Sequence, residues 1–259
     1  MHVHSQPRRF AGVLALALAA ATAVAHPVSA ATKKRTTTTR QPMKATTTPH
    51  TFRAEVWADN WFAMFVGDTK VGEDSVPITT ERSFNAETFT FEASYPLQLR
   101  VIAKDFKEND TGLEYIGTDR QQMGDGGLIA QITDLATGKV VAATDASWKG
   151  LVVHAAPLNT DCEKSASPHQ ACTSRMLPEP SGWKSPSFDD SGWTNASTYS
   201  ADQVGVKGGY NDIAWSTQAK LIWTKDLHVD NTILWRRTIV APIKGSIAAP
   251  TATPIPALA

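Results

Sequence analysis

Acidic, amide and hydroxyl side chains are concentrated in one polar stretch near the middle of the chain. Residues 105–115 read Asp-Phe-Lys-Glu-Asn-Asp-Thr-Gly-Leu-Glu-Tyr, and residues 119–125 read Asp-Arg-Gln-Gln-Met-Gly-Asp. Such groups hydrogen-bond sugar hydroxyls, while an aromatic side chain stacks on the apolar face of a sugar ring. The sequence therefore predicts a ligand site in these loops, with a solvated acidic loop as the alternative interpretation. The residues predicted to bind are Trp61, Asp105, Glu108, Asn109, Asp110, Arg120, Asp125 and Trp223.

Calcium is a narrower version of the same hypothesis. The ion takes six to eight oxygen ligands, and four oxygen-bearing side chains lie close together in this stretch. These candidate metal ligands are Asp105, Glu108, Asn109 and Asp110. Their spacing is not that of an EF-hand loop, so calcium remains one option among the ligands of the site.

Signatures of catalysis are absent from the sequence. It contains no Gly-x-Ser-x-Gly, no His-Glu-x-x-His and no Gly-x-x-x-x-Gly-Lys. The histidines are scattered, and the adjacent pair Asp189 and Asp190 fits a turn better than a glycosidase acid/base pair. We therefore predict no catalytic residues, and a small hydrolase using carboxylates of residues 105–125 is the least favoured alternative.

The formal charge of zero conceals an acidic central region. All 25 acidic residues lie within residues 51–240, against 17 of the 25 Lys and Arg, which leaves that region with a net charge of −8. Nucleic-acid binding requires a basic surface that neutralises phosphates, so no nucleic-acid partner is expected.

The ends of the chain differ in composition from its centre. Arg8 and Arg9, the apolar residues 10–24 and the small residues 28–30 predict a secretory signal peptide over residues 1–30. The apolar run is too short to span a bilayer, so we expect a secreted, extracellular protein without a membrane span. Residues 31–50 form a predicted Thr-rich linker, residues 51–240 one domain, and residues 241–259 a disordered Ala/Pro/Thr tail.

The two cysteines, Cys162 and Cys172, lie in a polar loop. An even number of cysteines at short spacing in a secreted chain favours a disulfide, because two thiols alone do not complete a zinc site. We predict a local disulfide that fixes this loop.

Apolar residues in the domain alternate with a period of two, which is typical of half-buried strands. The pattern appears at residues 52–56, 89–91 and 97–101, and hairpins are predicted at residues 62–72 and 128–143. Further strands are expected at residues 148–154, 219–223 and 233–240. About ten strands without a long helix predict an all-β protein with two packed antiparallel sheets.

Four sequence segments resemble galactose-binding-like jelly-roll modules that are attached to α-rhamnosidases and related glycoside hydrolases. They are the Ala-Asp-Asn-Trp-Phe-Ala-Met-Phe-Val-Gly run at residues 58–67, Asp-Ala-Ser-Trp at 145–148, Phe-Asp-Asp-Ser-Gly-Trp at 188–193, and Trp-Arg-Arg-Thr-Ile at 235–239. The resemblance covers residues 56–239. It implies an antiparallel jelly-roll β-sandwich in which Trp148, Trp193 and Trp235 belong to the framework.

The catalytic carboxylates of those enzymes reside in a separate barrel, so the resemblance implies a non-catalytic accessory module. Such modules bind carbohydrate, bind structural calcium or pack against a neighbouring protein. We therefore expect a secreted carbohydrate-binding or surface-interaction module, whose partner is a polysaccharide or a cell-surface glycan. A structural extracellular module that packs on a protein partner is the main alternative.

Overall fold

The protein is an antiparallel β-sandwich, as the sequence predicts. A computed structural model describes residues 48–78, 84–105 and 109–241. One sheet has the strand order β13-β14-β8-β1-β4, with β9 paired to β8. Its strands are β1 (His50–Asp59), β4 (Ala86–Ala93), β8 (Gly127–Asp134), β9 (Lys139–Ala143), β13 (Ser197–Tyr199) and β14 (Leu221–Trp223). We call it the first sheet.

The second sheet has the order β11-β10-β15-β5-β2-β3, with β12 paired to β10. Its strands are β2 (Trp61–Val66), β3 (Thr69–Glu73), β5 (Leu97–Lys104), β10 (Lys149–Ala155), β11 (Arg175–Met176), β12 (Thr194–Asn195) and β15 (Asp230–Ile239). A separate two-stranded ribbon joins β6 (Leu113–Glu114) to β7 (Gln122–Met123). The helical elements are two one-turn helices, α1 (Pro168–Ala171) and α2 (Ala201–Val204), and 3-10 turns at Thr160–Lys164 and Tyr210–Asp212.

The core between the sheets follows the alternating pattern of the sequence. Phe52, Ala54 and Val56 of β1 pack with Leu99 and Val101 of β5 in one buried cluster. The predicted hairpins form as β2–β3 and β8–β9. The expectation of half-buried strands is too simple for β8, however, because all eight of its residues are buried.

Both sheets are also covered on their outer faces, which explains this extra burial. Residues 201–215 cover Trp57 and Ile129 of the first sheet, where Val204 joins their cluster. On the second sheet, Trp183 and Trp193 pack over strands β10 and β15. The alternation of apolar residues identifies the inner faces, but it gives no sign of these covering segments.

The tryptophan turn, which we define as residues 180–193, is anchored by one arginine. Arg236 Nε donates to Asp190 Oδ2 at 2.8 Å, and the guanidinium also donates to the carbonyl oxygens of Trp183, Ser185 and Phe188. The Cζ atom of Arg236 lies 4.9 Å from the centre of the Phe188 ring. Trp148, Trp193 and Trp235 are buried, so the prediction that they form framework is confirmed.

The predicted disulfide between Cys162 and Cys172 is confirmed. It closes a loop of irregular and short helical structure between β10 and β11. Asn159 supports the base of this loop, because its side chain accepts from the backbone N–H of Thr173 and donates to the carbonyl of Ala171. The loop is therefore fixed both covalently and by hydrogen bonds.

The register of the strands gives the sandwich two distinct ends. At one end, His50 pairs with Ala93 and Ile239 pairs with Leu97, so the described chain enters and leaves there; we call it the terminal pole. The opposite end, the distal pole, carries the β1–β2 corner and residues 109–126, 156–174 and 224–230. The described site residues of the central loops therefore lie away from the points where the described chain enters and leaves the sandwich.

Three sequence predictions extend beyond this description. The signal peptide, almost all of the linker and residues 242–259 of the tail lie outside the described residues. Within the described residues, no helix has the length and apolar character required to span a membrane.

Candidate functional site

A polar pocket opens at the distal pole between residues 109–111 and the disulfide loop. Its volume is about 310 Å³. The residues that line it are Asn109, Asp110, Thr111, His169, Cys172 and Ser174. The pocket thus presents a carboxylate, a carboxamide, two hydroxyls and an imidazole, and two of these residues, Asn109 and Asp110, belong to the predicted site.

Local hydrogen bonds shape the wall that contains Asn109. Asn109 Oδ1 accepts from the backbone N–H of Thr111 at 2.8 Å, and Thr111 Oγ1 accepts from the N–H of Leu113 at 3.2 Å. Gly112 follows with φ +71°, and a β-carbon there would collide with the backbone of Ala156. The Asn-Asp-Thr-Gly sequence therefore forms a turn that only glycine can complete at this position.

A polar clamp joins this segment to the disulfide loop. Gln121 Nε2 donates to the carbonyl oxygens of Glu163 at 2.6 Å and of Ser165 at 2.9 Å. In the opposite direction, Glu163 Oε1 accepts from the backbone N–H of Met123 at 3.0 Å. We call Gln121 and Glu163 the clamp residues. They fix the distance between the two walls of the pocket, and sequence analysis missed both because their partners lie about 40 positions away.

His154 lies close to the pocket, at the end of β10. Only 3% of its side chain is exposed, and its Nε2 lies 3.9 Å from Oδ1 of Asp110, which is half exposed. Strand pairing puts His154 opposite Thr232 of β15, next to a register shift. The sequence showed a lone histidine in an apolar strand, and only the fold brings it near an acidic loop.

Of the other predicted loop residues, the three that the structure describes do not line this pocket. Asp105 is buried, and its carboxylate packs so closely on Gly124 that no side chain fits there. Arg120 stacks its guanidinium on Tyr115, 4.4 Å from the ring centre. Asp125 faces Lys207 instead. Glu108 lies outside the described residues.

Trp223 and Trp61, the two tryptophans predicted to stack on a sugar, differ in their exposure to solvent. Trp223 is fully buried, donates from Nε1 to the carbonyl of Asp230 at 2.8 Å and packs near Trp235. Its proposed role in stacking on a ligand is therefore wrong, because the indole has no exposed face. Trp61 is half-buried, and Lys104 Nζ lies 5.1 Å from its ring centre.

A second charged group at the distal pole joins the predicted residue Asp125 to Asp59 and Lys207, which the sequence analysis does not select. Lys207 Nζ lies 3.4 Å from Oδ2 of the fully buried Asp59 and 3.5 Å from Oδ1 of Asp125. Burial, followed by the charge of Asp125, raises the pKa of Asp59 well above its usual value, although Lys207 opposes the shift. Burial favours a lower pKa for Lys207, but the charges of Asp59 and Asp125 outweigh it and raise that pKa. The sequence could not reveal this cluster, because Lys207 comes from the segment that covers the first sheet.

The candidate calcium ligands are separated in the same way. Asp105 is buried against Gly124, whereas Asp110 points its half-exposed carboxylate toward the pocket and His154. Among the described residues, no three His, Cys, Asp or Glu side chains are grouped so that they could hold a metal ion. With Glu108 outside the description, calcium binding stays a prediction.

Comparison with known proteins adds no relative to this picture. No protein-family model, curated protein or solved structure matches the chain. The arguments about function therefore rest on the residues and geometry described above.

Proposed function

We propose that this protein is a secreted, non-catalytic module that binds carbohydrate through the polar pocket of the distal pole. The supporting observation is that Asn109 and Asp110, both predicted to bind sugar from sequence, line one pocket with Thr111, His169 and Ser174. Neutral sugars present several hydroxyls in a small volume, and each donates or accepts hydrogen bonds. A carboxylate, a carboxamide and hydroxyls on facing walls meet that need.

The position of the pocket also favours a tethered binding module. The described chain enters and leaves at the terminal pole, while the pocket opens at the distal pole. The pocket thus faces away from the points where the described chain enters and leaves, as a module held at that end requires. The predicted signal peptide is consistent with an extracellular role, and the disulfide is stable in an oxidising environment.

The proposal is tested by titrating glycans onto the secreted protein. A glycan array selects the ligand, and isothermal titration calorimetry then compares wild type with Asp110→Asn. We expect affinity to fall at least about tenfold, because a hydrogen bond to a charged acceptor is worth roughly 1.5–3 kcal/mol.

The matched control is Asp119→Asn, which removes an exposed carboxylate from the same segment but outside the pocket. Its affinity should stay within about twofold of wild type, as for most surface substitutions. An array without any bound glycan, with and without calcium, would refute the proposal. Equal losses in both variants would show that overall charge, and not the pocket, governs binding.

A protein-contact module is the second candidate, and one surface feature favours it. Leu158, Met176 and Leu177 are each about half exposed, near the short edge strand β11. Large apolar side chains grouped at a surface mark sites of protein association. Pull-down from secreted material with wild type and with Met176→Glu separates the candidates: a partner lost only in the variant supports the contact module.

A further inference from the structure

A second pocket lies beside the tryptophan turn, far from the distal pole. Its volume is about 280 Å³. The residues that line it are Asp68, Glu179, Pro180, Ser181, Gly182, Trp183 and Lys184. Asp68 follows β2 in a turn whose Gly67 donates to the carbonyl of Gln98. Because Gln98 is near the start of β5, this pocket lies toward the terminal pole.

The walls of this pocket are held by the framework of the sandwich. The backbone turns twice, with Trp183 N–H bonded to Pro180 O and Ser185 N–H bonded to Gly182 O. Arg236, itself only 4% exposed, holds the carbonyl oxygens of Trp183 and Ser185 from below. The pocket is therefore preorganised, so that a ligand would not have to order the turn.

The side chains at the pocket offer paired acceptors and a fixed donor. Trp183 Nε1 donates to Glu179 Oε2 at 2.9 Å, which orients the carboxylate and leaves Oε1 available to a ligand. In the described part of the chain, neither Asp68 nor Glu179 forms an ion pair with a basic side chain. Lys184 Nζ lies 4.0 Å from the ring centre of Phe65 and 5.3 Å from that of Trp183, so aromatic rings hold the ammonium in place.

We propose that this pocket is a second carbohydrate site, specific for a neutral pyranose. Two carboxylates accept hydrogen bonds from vicinal hydroxyls, while the Lys184 ammonium donates to a ring or hydroxyl oxygen. Pro180, which is partly exposed, supplies apolar surface for the C–H face of the ring, whereas Trp183 is only 3% exposed and belongs to the wall beneath the pocket. Two carboxylates against one ammonium give the lining a net negative charge, which disfavours acidic sugars, while all three groups can hydrogen-bond the hydroxyls of a neutral sugar.

The two pockets are separated along the second sheet. The polar pocket of the distal pole lies beyond the end of β5 at Lys104, and the second pocket adjoins the start of β5 at Gln98. The strand between these two residues is roughly 20 Å long at about 3.3 Å per residue. One polysaccharide chain could occupy both sites, or each site could bind a different chain of a polysaccharide network. Binding of the polymer should then exceed that of the monosaccharide through effective concentration alone.

The test uses the full secreted chain and a panel of glucose, galactose, mannose and rhamnose with glucuronic and galacturonic acid. Ligand-observed NMR and calorimetry compare wild type, Asp110→Asn, Asp68→Asn/Glu179→Gln and the variant that combines all three substitutions. Asp68 and Glu179 are exposed, and glutamine still accepts from Trp183, so folding is preserved. Glu92→Gln, an exposed carboxylate on β4, is the matched control.

We expect Asp68→Asn/Glu179→Gln to weaken neutral-sugar binding at least about tenfold at one of two sites, with Glu92→Gln unchanged. Loss of all sugar binding in Asp110→Asn alone overturns the second site and leaves the proposed function standing. Loss only in the double variant supports the second site and overturns the first. A wild type that binds no sugar of the panel, or prefers the uronic acids, overturns this inference.

Discussion

The tryptophan turn and the distal pole are built by different kinds of interaction. The turn packs Trp183, Trp193 and Phe188 on the second sheet around one buried guanidinium. The distal pole instead depends on side-chain hydrogen bonds and ion pairs between segments that are far apart in sequence, such as Gln121 to Glu163 and Lys207 to Asp59. The comparison teaches that the turn is held by aromatic packing around one buried cation, whereas the site is held by polar side-chain contacts between segments that are far apart in sequence.

The strongest way to break this comparison is to remove the guanidinium of the turn. Arg236→Ala leaves the Trp183, Ser185 and Phe188 carbonyls without their donor and removes the partner of Asp190. Because the buried guanidinium donates to four acceptors and a hydrogen bond to a charged group is worth about 1.5–3 kcal/mol, we expect a loss of unfolding free energy of several kcal/mol. Urea denaturation followed by tryptophan fluorescence measures it.

Arg237→Ala is the control for this prediction. Arg237 neighbours Arg236 on β15 but is only partly buried, so its replacement should change the unfolding free energy by less than about 1 kcal/mol. Equal effects of the two substitutions would mean that Arg236 is not the anchor of the turn.

The same contrast explains what the sequence could and could not predict. Alternating apolar residues identify β1, β4 and β5, and turn residues between apolar runs identify the β2–β3 and β8–β9 hairpins. These features depend on neighbours in sequence, so a pattern in the chain encodes them. The prediction that Trp148, Trp193 and Trp235 belong to the framework rests instead on the resemblance of their motifs.

The candidate site was predicted only in part, for a physical reason. Asn109 and Asp110 lie in one turn, and a turn is local enough to keep predicted neighbours together. Asp105 is only a few residues earlier, yet the end of β5 directs it into the interior, and Trp223 points into the core from β14. Composition reveals which side chains could bind, but strand register decides which of them face solvent.

Asp59 provides a pH-dependent test at the distal pole. Its pKa is raised above the ordinary value of about 3.8, chiefly by burial. Because the pKa of Asp59 is higher in the folded than in the unfolded state, protonated Asp59 contributes its full stabilisation below about pH 4. This stabilisation is lost as the pH rises through the pKa of the folded state. Wild type should therefore lose stability relative to Asp59→Asn as pH rises above 4, by at most about 1.4 kcal/mol per pH unit.

Denaturation of both proteins between pH 4 and 8 measures this difference. Asp125→Asn sharpens the test, because it removes a charge that raises the pKa of Asp59 and should shift the loss of stability to lower pH. Lys207 stays charged over this range, since its own pKa is raised. Parallel stability curves for wild type and Asp59→Asn would show that Asp59 does not titrate in this window.

The smallest expected effect concerns the clamp residues. Gln121→Ala removes two hydrogen bonds to the disulfide loop, which at about 0.5–1.5 kcal/mol each should lower global stability by roughly 1–3 kcal/mol. The effect of the substitution on local opening should be larger than its effect on global stability. The disulfide between Cys162 and Cys172 keeps the loop closed but does not hold the loop against residues 109–123. We therefore expect faster amide hydrogen exchange at Met123, whose N–H is bonded to Glu163, and weaker binding in the first pocket.

Gln170→Ala is the control, because it changes an exposed glutamine of the same loop. It should leave the exchange rate at Met123 and the affinity of the first pocket unchanged. Unaltered exchange at Met123 in Gln121→Ala would mean that the two walls are held together without the clamp, and the polar, long-range account of the distal pole would fail where it is most specific.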